Sequence, residues 1–300
     1  MVAAARLGQV TEPADTANVR PATPAEAADP RAMHAANRAA WDEAAERYEG
    51  WFDEAVELIR SGGSNLFPVE HDLLGDLRAG PGTRRAIHLQ CAGGRDTLSL
   101  WNLGAREVVG VDISPRMLGL AARLAAATGA PATWIEADVL DTPLDLDGTA
   151  DLVYTGRGSI IWLHDLEGWA SVLRRLLSPT GRLVIFDGHP AEWLFDAAED
   201  GHLIATDYDY FGGAEASKGW APEYIDRLSI PEDAQSWKFA RAWTLGEIVT
   251  ALVGAGLRLE RLAEYPVDWW AGHRDLRPED RGRIPLSFGI VATRAGLHAT

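Results

Sequence analysis

Two glycines and a set of spaced acids carry the residue types that could do chemistry in this chain. Gly93 and Gly94 stand where the apolar run Ala86-Ile87-His88-Leu89-Gln90 gives way to a helical pattern marked by Leu98 and Trp101. Glycine at such a junction lets backbone approach a ligand, because no Cβ intervenes. The helix start beyond it offers unpaired N–H groups, with Asp96 read as the N-cap. Asp112 ends the next apolar run, Glu107-Val108-Val109-Gly110-Val111, eighteen residues after Gly94. An acid at the tip of the neighbouring strand can accept hydrogen bonds from ribose hydroxyls. Together these features predict a nucleoside-containing cofactor.

Proton transfer has two leading candidates, His164 and His189, which follow the ends of the fourth and fifth predicted strands. Either imidazole can take a proton near neutral pH. Asp187 and Glu192 are further carboxylates at the same level. A substrate would meet aromatic side chains. Tyr48 and Trp51 lie on one face of an amphipathic helix, and the stretch 190–240 carries nine aromatic residues, among them Tyr208, Phe211 and Trp220. With Arg157 these are the predicted substrate-binding residues, lining a pocket that suits a flat or apolar molecule, or a cationic amine held against ring faces.

The elements that must position these groups alternate in type. Strands are predicted over 86–90, 108–112, 132–137, 151–155 and 183–186, with helices over 96–103 and 115–127 and another starting after Asp165. Ser114-Pro115 supplies an N-cap followed by proline at N1. Such alternation predicts an α/β fold, a doubly wound parallel sheet whose ligands sit beyond the carboxyl ends of its strands. Gly93, Asp112, Asp138, Thr155 and Asp187 all fall at such ends. The stretch 190–240 breaks the alternation and is too long for an ordinary connection, so it is read as an inserted aromatic lid. Thr244-Leu245-Gly246-Glu247 has capping-box spacing and starts one more helix. Strands over 257–265 and 286–293 bring the total to seven, with the last pair antiparallel because no convincing helix joins them. The loop between them carries Trp269, Trp270 and His273. An N-terminal helix is predicted over 37–59. Residues 1–30, rich in Ala, Pro, Thr and Asp, are predicted to be a disordered tail, with 31–300 as one domain.

Composition narrows the function classes. The 300 residues carry 44 acids against 28 bases, a formal net charge of −16. This argues against nucleic acid as partner, since no Lys/Arg cluster provides a basic groove. A single cysteine excludes an intrachain disulfide and a cysteine-based zinc site, and no metal is predicted. No apolar run reaches transmembrane length and no signal peptide is evident, so a soluble cytoplasmic protein acting away from membranes is expected.

A dinucleotide fold wants Gly-x-Gly-x-x-Gly, which Ala92-Gly93-Gly94-Arg95-Asp96-Thr97 does not supply, and Asp96 would repel a pyrophosphate. The sulfonium, ammonium and carboxylate of S-adenosylmethionine suit this mixed polarity better. The chain resembles the class I S-adenosylmethionine-dependent methyltransferases over roughly residues 37 to 294, and within them a bacterial group acting on small molecules. The resemblance is carried by His88 to Leu98, Gly110-Val111-Asp112-Ile113-Ser114, Glu136-Ala137-Asp138-Val139 and Tyr154-Thr155-Gly156-Arg157-Gly158. Asn37-Arg38-Ala39-Ala40-Trp41-Asp42 and Trp243 to Ile248 extend it.

The resemblance implies a Rossmann-like seven-stranded sheet and a cofactor site. Gln90, Cys91, Ala92, Gly93 and Gly94 would follow the methionine end. Asp112 would hold the ribose, and Ile113 would lie against adenine. Asp138 would accept from the adenine amino group with Val139 beside it, and Thr155 and Gly156 would lie near the sulfonium. Met117 on the following helix completes the set. The usual loop, Asp/Glu-x-Gly-x-Gly-x-Gly, is altered here: His88 stands at the acidic position and Gln90 and Ala92 replace glycines. The implied reaction is methyl transfer to an O, N or C atom of a small molecule, in secondary metabolism, with S-adenosylhomocysteine as product. The alternatives are a non-methylating use of S-adenosylmethionine on the same fold and an NAD-dependent oxidoreductase.

Overall fold

The computed structural model describes residues 18–226 and 228–296. The chain begins with β1 (Val19–Pro21), α1 (Pro24–Ala27), α2 (Pro30–Gly50), α3 (Phe52–Arg60) and α4 (Pro68–Leu74). The alternating core follows as β2 (Arg85–Leu89), α5 (Arg95–Leu103), β3 (Glu107–Asp112), α6 (Pro115–Thr128) and β4 (Ala132–Glu136). It continues with β5 (Ala150–Gly156), α7 (Leu166–Leu176) and β6 (Leu177–Gly188). The insert contributes four short strands, β7 (Phe195–Ala197), β8 (Leu203–Ala205), β9 (Glu215–Ser217) and β10 (Lys238–Ala240). The chain closes with α8 (Leu245–Gly254), β11 (Leu257–Tyr265), α9 (Pro278–Arg281) and β12 (Ser287–Arg294).

The main sheet has seven strands in the order β11-β12-β6-β5-β2-β3-β4. β12 runs antiparallel to both β11 and β6, and the pairs from β6 through β4 are parallel. The expected doubly wound sheet with an antiparallel last strand is therefore present. Strand order reverses between β2 and β5, which opens a crevice at the carboxyl ends of those two strands. Both faces are covered. Val109, Val111, Trp169, Leu173 and Ile185 pack in one core with α7 and α8. Leu98, Leu100, Leu124, Tyr154 and Phe186 pack in the other. Trp169, Tyr154 and Phe186 are fully buried, and each such side chain contributes ~1.5–3 kcal/mol of apolar burial.

Local chemistry sets the element ends. Ser114 Oγ accepts from the Met117 N–H at 3.1 Å, with Pro115 at the first helical position. Thr244 and Glu247 form the reciprocal capping box predicted for α8. α5 differs from expectation: its N-cap is Gly94, with a left-handed φ of +78°, and Asp96 lies inside the first turn. The helix expected over 37–59 starts earlier, because Asp29 accepts from the Ala32 N–H and Pro30 occupies the first turn. It also divides at Trp51, just after Gly50, whose helix propensity is low.

The tail expected over 1–30 is structured over its second half. Val19–Pro21 pairs antiparallel with β9, which also pairs with β10, making a three-stranded sheet. Residues 1–17 lie outside the described residues. The insert is thus clasped by the N-terminal segment. α2 holds it further: Asn37 accepts from the Phe239 N–H at 2.7 Å and donates to the Phe239 carbonyl at 2.9 Å. Glu43 accepts from the Ser236 hydroxyl at 2.6 Å, and Arg47 pairs with Asp226 at 2.7 Å.

Candidate active site

A cavity of about 380 Å³ occupies the crevice at the switch point, a size typical of small-molecule sites, which run roughly 300–1,000 Å³. Its floor is the loop after β2. The four non-glycine residues with left-handed backbone among the described residues are Gln90 (φ +59°), Ala92 (+44°), Arg157 (+59°) and Ala271 (+63°), and all four line this cavity. Such conformations cost about 1–3 kcal/mol each and persist only where the surroundings impose them. Among the described residues, left-handed non-glycine backbone is therefore concentrated at the candidate site.

Asp112 ends β3 on the cavity wall. Its Oδ2 accepts from the Ala92 N–H at 2.7 Å and its Oδ1 from the Ser114 N–H at 2.9 Å. Burial pushes its carboxyl up to about 6, against the pull of those backbone donors. A carboxylate has about four lone-pair sites, so each oxygen can still accept one bond from a ligand hydroxyl. Asp138 lies on the same wall, where its Oδ2 meets His34 Nδ1 at 2.8 Å and Arg31 at 3.2 Å. Burial works to raise this carboxyl, but the hydrogen bond from His34, the Leu140 N–H and the nearby Arg31 hold it below its ordinary value. His34 Nε2 accepts from the His164 N–H at 3.1 Å, which fixes the His34 tautomer with the proton on Nδ1.

At the other end, Asp96 Oδ1 accepts from Asn65 Nδ2 at 2.5 Å and from Arg157 at 3.0 Å. His88 contributes a ring held to Thr97 Oγ1 at 2.8 Å, and burial pushes its pKa down to about 4, so it is neutral at pH 7. Behind it, Tyr154 donates its hydroxyl to Glu70, whose carboxyl burial raises to about 7. The remaining walls are aromatic: Trp41, Tyr48 and Trp51, Trp162, Tyr224, and Trp269 with Trp270.

Of the residues predicted to hold a cofactor, Gln90, Cys91, Ala92, Gly93, Gly94, Asp112, Ile113, Asp138, Val139 and Gly156 line the cavity. Met117 and Thr155 do not: both are fully buried, Met117 among Ala44, Ala45 and Leu120, and Thr155 against the Ser159 hydroxyl at 3.0 Å. Of the predicted substrate residues, Tyr48, Trp51 and Arg157 line it. Tyr208, Phe211 and Trp220 do not. Tyr208 packs on Trp193, Phe211 is 82% exposed, and Trp220 sits behind Trp41 and Trp162.

The two predicted catalytic histidines are also turned away. His164 bonds the Phe239 carbonyl at 3.2 Å, and burial pushes its pKa down to about 4. His189 accepts from the Ala191 N–H at 3.0 Å and meets Glu264 at 2.8 Å, with burial lowering its pKa. Asp187 accepts from the N–H groups of Gly158, Ser159, Ile160 and Gly188, which makes it the anchor of the loop after β5. Glu192 accepts from Trp270 Nε1 at 3.1 Å, and burial raises its carboxyl well above the usual range. Sequence reasoning missed His34, Asn65, Trp162, Glu223 and Tyr224 as lining residues. Their only sequence signal was aromatic or polar character; the packing of α2, the 61–67 loop and the insert brings them in.

The chain resembles known proteins in the same region. Residues 86–181 match a family model described as a methyltransferase domain. Over 148 residues the chain is 35% identical to an uncharacterised methyltransferase of Synechocystis, covering 47% of this chain and 63% of that protein. Over 84 residues it is 40% identical to the demethylmenaquinone methyltransferase of Thermus thermophilus, covering 28% of this chain and 37% of that protein. It therefore spans less than two thirds of the length of these curated relatives. In fold it is similar to an S-adenosylmethionine-dependent methyltransferase from Mesorhizobium loti, with a TM-score of 0.53 at 24% identity over 76% of this chain and 96% of that one. The glycine loop and the strand-end acids lie within the matched stretch, so residues 86–181, on a sheet of the same fold, carry a methyltransferase domain.

Proposed function

We propose that this protein transfers the methyl group of S-adenosylmethionine to an O, N or C atom of a small molecule with a flat or apolar body. The observation that carries the reading is one cavity with two characters. Its floor holds the loop after β2 with Asp112 and Asp138 at neighbouring strand ends, and its remaining wall is built from aromatic rings.

The residues fit the cofactor. Gln90 Oε1 is a buried acceptor with no partner among the described residues, on the loop expected to follow the methionine end. The lone pairs left on Asp112 suit vicinal ribose hydroxyls, and Asp138 Oδ1, which takes one bond from the Leu140 N–H at 2.9 Å, can accept another from an exocyclic amine. Ile113 and Val139 supply apolar surface for a purine. When bound, S-adenosylmethionine supplies a methyl group on a sulfonium, a good leaving group for in-line displacement.

The chain's own work is alignment and exclusion of water. The loop after β5, pinned by Asp187, presents Gly156 and Gly158 to the cavity, and a Cβ at Gly156 would lie 2.0 Å from the Phe186 carbonyl oxygen. The indoles of Trp41, Trp51, Trp269 and Trp270 hold an acceptor by its faces. Glu223 lines the same cavity, with Arg274 paired to its Oε1 at 3.2 Å, and is the carboxylate we assign to take a proton from an acceptor that arrives protonated. His164 and His189 have no part in this scheme.

The test is titration calorimetry with S-adenosylhomocysteine and with NAD, followed by mass spectrometry of small-molecule panels incubated with methyl-labelled S-adenosylmethionine. Binding of the thioether and a labelled methyl group on an aromatic product are expected. Tight NAD binding without thioether binding would overturn the reading.

A further inference from the structure

The loop after β2 lacks the acid that the resemblance leads one to expect, and His88 in its place is neutral and committed to Thr97. A zwitterionic amino-acid end would still need a charged acceptor and a charged donor in a desolvated site. The cavity provides both, from different elements. Asp96 belongs to the first turn of α5, and both of its hydrogen bonds fall on Oδ1, leaving Oδ2 without a partner among the described residues. Arg157 follows β5 and donates through Nη1 to the Asn65 carbonyl at 3.0 Å and to Asp96 at 3.0 Å. Its Nη2 has no hydrogen-bond partner among the described residues. Its guanidinium lies 5.0 Å from the centre of the Phe67 ring, which limits its movement. Gln90 Nε2 is tied to the Ser159 carbonyl at 2.8 Å, so its unpartnered Oε1 is held in a fixed direction.

We propose that Asp96, Arg157 and Gln90 form the subsite for the amino-acid end of S-adenosylmethionine. Asp96 Oδ2 and Gln90 Oε1 accept from the ammonium, and Arg157 Nη2 donates to the carboxylate. The assignment rests on the S-adenosylmethionine reading above and moves Arg157 from the substrate to the cofactor. It also accounts for two features that otherwise stand alone. A left-handed non-glycine backbone occurs at both Gln90 and Arg157, the strain expected where side chains are aimed at a ligand. The Asp96–Arg157 pair is largely buried, with side chains 21% and 14% exposed, and a neutral zwitterion can add to such a pair without leaving a net buried charge.

The test compares S-adenosylhomocysteine with 5′-methylthioadenosine, a thioether that keeps the nucleoside and lacks the amino-acid end. Calorimetry of the full chain should show the former binding at least about tenfold more tightly. The double variant Asp96→Asn/Arg157→Met removes both charges together and avoids an unpaired buried ion. It should lose about tenfold or more in affinity for S-adenosylhomocysteine and keep its affinity for 5′-methylthioadenosine within about threefold. Equal affinity of the unaltered protein for the two thioethers would overturn the subsite, and this comparison needs no variant to fold. An equal loss of both ligands in the double variant, or no loss of either, would overturn it as well. If the unaltered protein bound neither thioether, the S-adenosylmethionine reading itself would fall, and the subsite with it.

Discussion

Tyr48 and Tyr224 meet hydroxyl to hydroxyl at 3.2 Å, joining α2 to the insert beside the glycine loop. A Cβ on Gly93 would lie 3.0 Å from the Tyr48 ring, so the loop and the clasp are in near contact. Burial raises the pKa of both phenols, and they stay neutral across the physiological range. Both rings line the cavity.

Tyr224→Ala removes a ring that lines the cavity and packs edge-on against Trp269. It should raise the substrate KM by about tenfold, the order expected for a lost aromatic contact, while affinity for S-adenosylhomocysteine stays within about threefold. Tyr208→Ala and Phe211→Ala should leave KM unchanged, since neither ring reaches the cavity. Steady-state kinetics on any identified substrate separate the two groups; an effect at Phe211 as large as at Tyr224 would mean that the insert moves onto the site.

Asp112 makes cofactor affinity pH-dependent. Its native pKa of about 6 lies above the ordinary Asp value, so the folded state holds a proton that the unfolded chain gives up. Its contribution to stability is therefore greatest below the unfolded pKa and is lost as pH rises through about 6. Ligand affinity moves the other way, because ribose hydroxyls need the ionised acceptor. Affinity for S-adenosylhomocysteine should rise between pH 5 and pH 7, and this rise should vanish in Asp112→Asn. At neutral pH Asp112→Ala should cost about 1.5–3 kcal/mol per lost charged hydrogen bond. A flat pH profile by calorimetry would remove Asp112 from the site.

Gly94→Val acts through the core. A Cβ there would lie 2.5 Å from the Trp134 ring and 2.7 Å from Ala121 Cβ, and the residue holds a φ of +78°. Overpacking and left-handed strain together should lower stability by about 2–4 kcal/mol, visible as a drop in Tm. Loss of cofactor binding would follow from the displaced loop. An unchanged Tm with abolished binding would show that the ligand approaches Gly94 itself.

Asn37 ties α2 to β10 through two hydrogen bonds with Phe239 and is itself buried. Asn37→Ala leaves the Phe239 N–H without this partner, at about 1–3 kcal/mol, while the Phe239 carbonyl keeps its bond from His164. Hydrogen exchange should accelerate in β1, β9 and β10 and leave β2, β3 and β5 unaffected. Exchange spreading evenly over the main sheet would show that the insert and core unfold as one unit.

What the sequence determined by itself was the set of features written in local patterns. Alternation of short apolar runs with helical periods was enough for a seven-stranded sheet, because each strand must bury both faces and each helix one. Ser114-Pro115 and Thr244 with Glu247 announced helix starts, since capping is a contact between residues three apart. Gly93, Gly94, Asp112 and Asp138 fell at strand ends for the same reason. What the tertiary structure alone decided was which side chains face one another across the cavity. His164 and His189 had the right position along the chain, but nothing local says that Phe239 and Glu264 will take their rings. Asp96 read as a cap, and the loop at Asn65 with Arg157 after β5 drew it to the cavity instead. Phe211 and Tyr224 were equal members of one aromatic stretch; β1 and α2 clasp that stretch so that Tyr224 points in and Phe211 out. These are contacts between residues tens to hundreds of positions apart. They depend on how layers dock, which periodicity and spacing do not encode.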